Sequence, residues 1–185
     1  MKEFFKSLWE IFKMAVLAFL IVFPVRYFLF QPFIVNGASM SPSFETSDYL
    51  FVDELSFRLR DVERGEVIVF RAPLQPTDRY IKRVIGLPGE TIEIREGIIY
   101  ISKGENKFVL NESGYLSEKT ITSGEINVSL KENEYFVMGD NRQFSSDSRS
   151  WGYLPEENII GRAFFRLLPV DAILVISRPV YGLSE

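Results

Sequence analysis

Beyond residue 33 the chain is built from short apolar runs separated by turn residues, while its first thirty or so residues are apolar almost without a break. The runs at 49–52, 66–70, 91–94, 98–101, 135–138 and 159–165 are rich in β-branched and aromatic side chains. Gly, Asp, Pro or Asn bounds each one, the pattern expected of strands in a sandwich or barrel. Leu87-Pro88-Gly89 fits a type II turn, with Pro fixing φ and Gly accepting a positive φ. No long amphipathic helix is legible after residue 33, so the pattern predicts a mainly β domain over 31–185. Residues 103–134 are more polar and turn-rich. They read either as a smaller β region inserted into the main domain or as a long hairpin with a mobile tip. The apolar run 172–176 is too short to span a bilayer and reads as a last strand or a surface-packed segment.

The first thirty residues call for a different environment. From 14 to 25 the chain is apolar and uncharged, and apolar character extends from Leu8 to Phe30, interrupted by Glu10, Lys13 and Arg26. Twelve helical residues cover about 18 Å, short of the roughly 30 Å hydrocarbon core. A span therefore needs its flanks, with Lys13 and Arg26 snorkelling to the two interfaces. Phe4, Phe5 and Trp9 at one end, and Tyr27, Phe28 and Phe30 at the other, suit interfacial belts. Lys2, Lys6 and Lys13 precede the run and only Arg26 closely follows it, which puts residues 1–30 as a cytoplasmic N-terminus plus transmembrane helix and the rest outside. A cleaved secretory signal lacks its small-x-small site, since bulky residues continue through Val35. A buried core helix is the other alternative.

Composition narrows the chemistry. A net charge of −4 in 185 residues argues against nucleic-acid binding. The chain has no histidine and no cysteine. That removes the usual base for a serine nucleophile, every thiol nucleophile and the ordinary zinc ligands, so no metal site is expected. If the chain performs covalent hydrolysis, a lysine is the obvious base, and Ser–Lys pairing is a known variant of triad logic.

Three segments carry candidate residues. Ser39 lies in Gly37-Ala38-Ser39-Met40, where small neighbours permit an exposed turn and close approach of a carbonyl. Lys82 lies in the strand-like run Tyr80-Ile81-Lys82-Arg83-Val84. Alternation puts it on one face with Tyr80 and Val84, opposite Ile81 and Arg83. An apolar face would desolvate the amine and lower its pKa, although most strand lysines are solvated. The third segment, 139–149, is dense in short hydrogen-bonding side chains and either supports the lysine or is a polar loop with an internal Asp–Arg pair.

In combination and order, these segments closely resemble the boxes of bacterial type I signal peptidases, membrane-anchored serine endopeptidases that remove signal peptides from exported proteins. The resemblance runs from about Arg26 to Phe165. It takes in 26–33 as the juxtamembrane stretch, Ala38-Ser39-Met40-Ser41-Pro42, the strand 65–70, Tyr80 through Gly89, and Gly139-Asp140-Asn141-Arg142 with Ser145, Asp147, Ser148 and Arg149. It implies Ser39 as nucleophile and Lys82 as general base. Ser145 would position the lysine amine, Asp147 and Arg149 would form a supporting ion pair, and the Ser39 N–H would join the oxyanion hole. Two departures stand out. Gly37 replaces a serine that assists the oxyanion in some members, and Gln143-Phe144 replaces an Asp-Asn common in others.

The implied fold is a coiled β domain with a smaller inserted β region. The implied chemistry needs neither metal nor organic cofactor, and the implied partners are signal-peptide-bearing preproteins and the lipid bilayer. Two shallow pockets for small residues are expected to take their walls from Ile34, Val35, Leu50, Val52, Tyr80 and Ile81. The rival readings are a self-cleaving repressor with the same dyad, which should carry a DNA-binding domain and a cleavable linker, and a membrane-anchored β binding module in which Ser39 and Lys82 are incidental.

Overall fold

The computed structural model describes residues 2–24, 30–117, 120–179 and 181. It begins with helix α1, Lys2–Pro24. The helix is apolar around much of its circumference, and Phe4, Leu8, Trp9, Ile11, Leu17 and Leu20 are all exposed. Trp9 stacks on Phe12 one turn later. Among the described residues no helix is long and apolar enough to cross a membrane. The end of the expected span, with Val25, Arg26, Tyr27 and Phe28, lies outside the described residues.

The rest is mainly β, in two sheets. The strands are β1 (Phe30–Ile34), β2 (Tyr49–Asp53), β3 (Val67–Arg71), β4 (Arg79–Gly86), β5 (Thr91–Arg95), β6 (Ile98–Lys103), β7 (Asn106–Val109), β8 (Ile126–Ser129), β9 (Glu134–Met138), β10 (Leu154–Pro155), β11 (Ile159–Leu168) and β12 (Leu174–Val175). Two short helices, α2 (Leu55–Leu59) and α3 (Ser148–Trp151), complete the regular structure. The large sheet runs β1-β2-β11-β3-β4-β9-β10, with β12 added against β11. The small sheet runs β7-β6-β5-β8. It takes in β5 and β6 as well as residues of the polar stretch 103–134, because Thr91–Arg95 pairs in register with both Ile98–Lys103 and Ile126–Ser129.

β3 explains why the large sheet needs cover on both faces. Alternate residues of a strand point to opposite sides, and here both sides are buried. Val67 and Val69 join Val35, Leu50, Val52 and Ile81 in one core, while Ile68 and Phe70 join Val84, Val137, Leu154 and Ile159 in another. A third core lies where the small sheet meets the large one, with Ile92, Ile94, Ile99 and Ile101 against Ile85, Phe136 and Met138. Gly86, at the end of β4, is required there, since a Cβ would fall 2.7 Å from the Ile92 side chain. Gly89, with φ of +77°, turns the chain into the small sheet at the expected position.

Candidate active site

β4 delivers the lysine. Its register with β3 sets Lys82 opposite Ile68 and Tyr80 opposite Phe70, so the amine stem rises from the apolar face that Val84 also shares. Lys82 is only 3% exposed, and its Nζ lies 5.4 Å from the centre of the Tyr80 ring. Burial dominates the electrostatics and brings the amine down from 10.5 to about 8, although Asp147 and Asp140 pull the other way. Neutral amine is therefore available near physiological pH.

Ser39 sits in the turn-rich connection between β1 and β2. Met40, fully buried, and Phe44 pin that connection into the core. Val35 N–H to Asp48 O (2.9 Å) and Ser47 N–H to Val35 O (2.9 Å) close its base. Gly37, with φ of +97°, lets the chain turn just before Ser39. The result brings Ser39 Oγ to 2.8 Å from Lys82 Nζ, whose second hydrogen bond goes to Ile81 O at 2.9 Å.

The loop after β9 fastens the backbone around Ser39. Asn141 donates its backbone N–H to Ser39 O (3.0 Å) and its Nδ2 to Ala38 O (2.9 Å). Asp147 is fully buried and takes both arms of Arg149, Nε and Nη2, each at 2.8 Å. It also accepts from Gly139 N–H (3.0 Å) and caps α3 through Arg149 N–H. Burial alone would raise the Asp147 carboxyl, but Arg149, the Gly139 amide and Ser145 together hold it below the usual carboxylate range. Two further buried pairs flank it. Arg83 grips Asp140 through Nε (2.9 Å) and Nη2 (2.6 Å), and Arg142 binds Glu112 and Thr122. Arg83 thus forms a buried structural charge pair with Asp140.

Ser145 departs from expectation. Its Oγ is buried and makes no hydrogen bond of ordinary geometry among the described residues, to Lys82 or to any other group. It packs against Gly139, where a Cβ would collide with it, and its nearest influence is on the Asp147 carboxylate.

Ser39 and Lys82 line a groove of about 230 Å³. β9 pairs with β4 only from Arg83 onward, so 79–82 offer an unpaired edge on that side. Tyr80 and Ile81 line the groove as expected. The other four wall candidates do not. Val35, Leu50 and Val52 are packed into the core beneath, and Ile34 is 60% exposed and is not among the groove's lining residues. Period-two patterning identifies two faces of a strand, not which face borders the opening. Phe33, Phe144 and Arg79, which sequence reasoning missed as wall residues, line it instead. Phe144 is 75% exposed, and a large apolar side chain left bare at a groove is the signal that marks it.

Known proteins resemble this chain in sequence over most of its length. The sequence profile of the family described as signal peptidase, peptidase S26, matches residues 8–168. A probable signal peptidase I-2 of Synechocystis sp. is 35% identical over 173 residues, covering 89% of this chain and 75% of that protein. Signal peptidase I P of Bacillus subtilis subsp. natto is 37% identical over 166 residues, covering 87% of this chain and 89% of its own. The crystal structure of a signal peptidase I from Enterococcus faecalis V583 is 30% identical, with a TM-score of 0.46 over 56% of this chain and 97% of that one. The chain belongs to the peptidase S26 family of signal peptidases, and is a serine endopeptidase.

Proposed function

We propose that this protein is a membrane-bound endopeptidase that removes N-terminal signal peptides from exported preproteins through a Ser39–Lys82 dyad and an acyl-enzyme. The observation that carries the mechanism is the 2.8 Å hydrogen bond between Lys82 Nζ and Ser39 Oγ on a buried, largely apolar strand face. Neutral Lys82 takes the hydroxyl proton as Oγ bonds to the scissile carbonyl carbon. The oxyanion formed is held by fixed donors, among them the Ser39 N–H, an effect commonly worth several kcal/mol. Gly37 adds no side-chain donor there. As the C–N bond breaks, the Lys82 ammonium passes its proton to the leaving amine. Water then attacks the ester, with Lys82 again as base, and frees Ser39.

Asp147 and Arg149 act as positioning residues: Asp147 accepts from the Gly139 N–H and Arg149 holds Asp147, while neither bonds the reacting atoms. Membrane attachment is assigned to α1, whose exposed apolar surface has a natural solvent in lipid. Residues 31–185, with the small sheet as an appended β region, then form the catalytic domain on the outer face of the cytoplasmic membrane.

The substrate reading is tested with peptides spanning a signal cleavage site that ends in the A-x-A-like pattern. Wild type should cleave the peptide with Ala before the cut, Ser39→Ala should not, and Leu in place of that Ala should abolish cleavage, as a pocket for small residues requires. Changing the middle residue should matter little. Equal rates on the Ala and Leu peptides would exclude signal peptidase specificity even with both dyad residues catalytic.

A further inference from the structure

We propose that Arg79, reinforced by Arg71, is a specificity-determining residue that favours substrates with a carboxylate at the fourth residue before the scissile bond. The inference rests on the reading above, in which Ser39 and Lys82 cut an extended peptide lying in the groove.

Arg79 is exposed, lines the groove, and donates from its guanidinium to Gln31 Oε1 at 3.1 Å. The register of β3 with β4 sets Arg71 directly opposite it, also exposed. Like charges facing each other across a strand pair are destabilising. Among the described residues neither guanidinium has a carboxylate within ion-pair reach, while Asp78, next in sequence, takes the Thr77 hydroxyl. The large sheet therefore carries two neighbouring uncompensated cations at one end of its catalytic strand. Because Lys82 must be neutral to act, Arg79 is the standing charge among the residues lining the groove.

Position follows from strand geometry. Arg79 lies three residues from Lys82, about 10 Å along β4. A substrate extended along the open edge, with the residue before the cut beside Lys82, brings its fourth residue level with Arg79. Direction follows from Gln31, which binds Arg79 and lies seven residues after the last residue of α1. The guanidinium thus sits on the anchor side, where the segment before the cut arrives from the membrane. The contact is at an exposed rim, so it acts on encounter and KM and weakens with salt.

The test uses three detergent-solubilised peptides that differ only at the fourth residue before the cut, carrying Glu, Gln or Lys. Wild type should give a kcat/KM ratio, Glu over Lys, of about fivefold at low ionic strength, as expected for exposed charge pairs. The ratio should approach one in 1 M salt, reach about one in Arg79→Gln, and fall below one in Arg79→Glu. A ratio is insensitive to a general loss of activity, and the wild-type salt series stands even if a variant fails to fold. Cleavage of all three peptides with a salt-independent ratio near one overturns the proposal alone. Cleavage of none of them overturns the peptidase reading and this proposal with it. If the arginines instead bind lipid phosphate, Arg79→Gln will lower activity on phosphatidylglycerol vesicles equally for all three peptides, and the proposal fails.

Discussion

A Cβ on Gly139 would run into both the carbonyl oxygen of Ser39 and the side chain of Ser145, so that even a methyl group has no room there. The loop that carries the Asp140 and Asp147 ion pairs is thereby laid directly on the backbone of Ser39, and the Asn141 N–H bonds the same carbonyl.

Gly139→Ala should consequently damage catalysis more than folding. The added Cβ must displace the Ser39 backbone or the Ser145 side chain, and a misplacement of about 1 Å can cost roughly 10²-fold in rate. The expected result is a kcat/KM lower by about that factor, with near-native far-UV circular dichroism and a modest fall in Tm. A fully active Gly139→Ala would mean that the close packing is unimportant to the reaction.

Lys82→Arg tests the base. Arginine preserves charge and much of the length but does not release its proton in any accessible range. Activity should fall as far as in Lys82→Ala. Measurable cleavage well above the Lys82→Ala background would remove the lysine from the general-base role.

The pH profile follows from burial. With Lys82 at about 8, kcat/KM should climb roughly tenfold per pH unit below that point and level off above it, because only the neutral amine accepts the proton. Stability should carry the same signature. The folded form loses this proton near 8 and the unfolded form near 10.5, so stability rises with pH between those limits and the penalty is constant below them. Lys82→Met should remove that penalty and stabilise the inactive protein at pH 7 by up to about 3 kcal/mol. Urea denaturation of both proteins at pH 7 and pH 10 checks it, since their difference should shrink at the higher pH.

Asp147→Asn should move two readouts. Loss of the carboxylate leaves the mostly buried Arg149 without its partner, a change that costs about 3 kcal/mol in comparable buried pairs. It also removes the charge that most strongly opposes the depression of the Lys82 pKa. The midpoint of the kcat/KM profile should therefore shift below about 8 while Tm falls. A lower Tm with an unmoved midpoint would confine Asp147 to a structural role.

Local pattern made the strands legible, along with the face on which Lys82 lies. β3, β5 and β6 follow their apolar runs closely, and Lys82 shares a face with Tyr80 and Val84 because alternation is a property of the strand itself. What depends on distant residues was not legible. Whether Arg83 is solvated or paired is decided by Asp140, more than fifty positions away. The extent of the small sheet is decided by β8 returning to β5. Val35, Leu50 and Val52 are apolar residues of strand-like runs flanking Ser39, which made them reasonable wall candidates, yet they pack into the core with Met40, Phe44 and Val69. Ser145 bonding to the amine was expected by resemblance, whereas here the amine donates to Ser39 Oγ and Ile81 O.

The grip of Arg142 on Glu112 and Thr122 bears on how far such an enzyme can be pared down. Both partners belong to the connection between β7 and β8, on the small sheet's side, whereas the guanidinium also holds Gly139 O beside the nucleophile. A minimal version reduced to the large sheet would leave that cation bare under the catalytic turn. The outer strands are open to redesign or replacement, but any graft has to return a carboxylate to the place that Glu112 occupies.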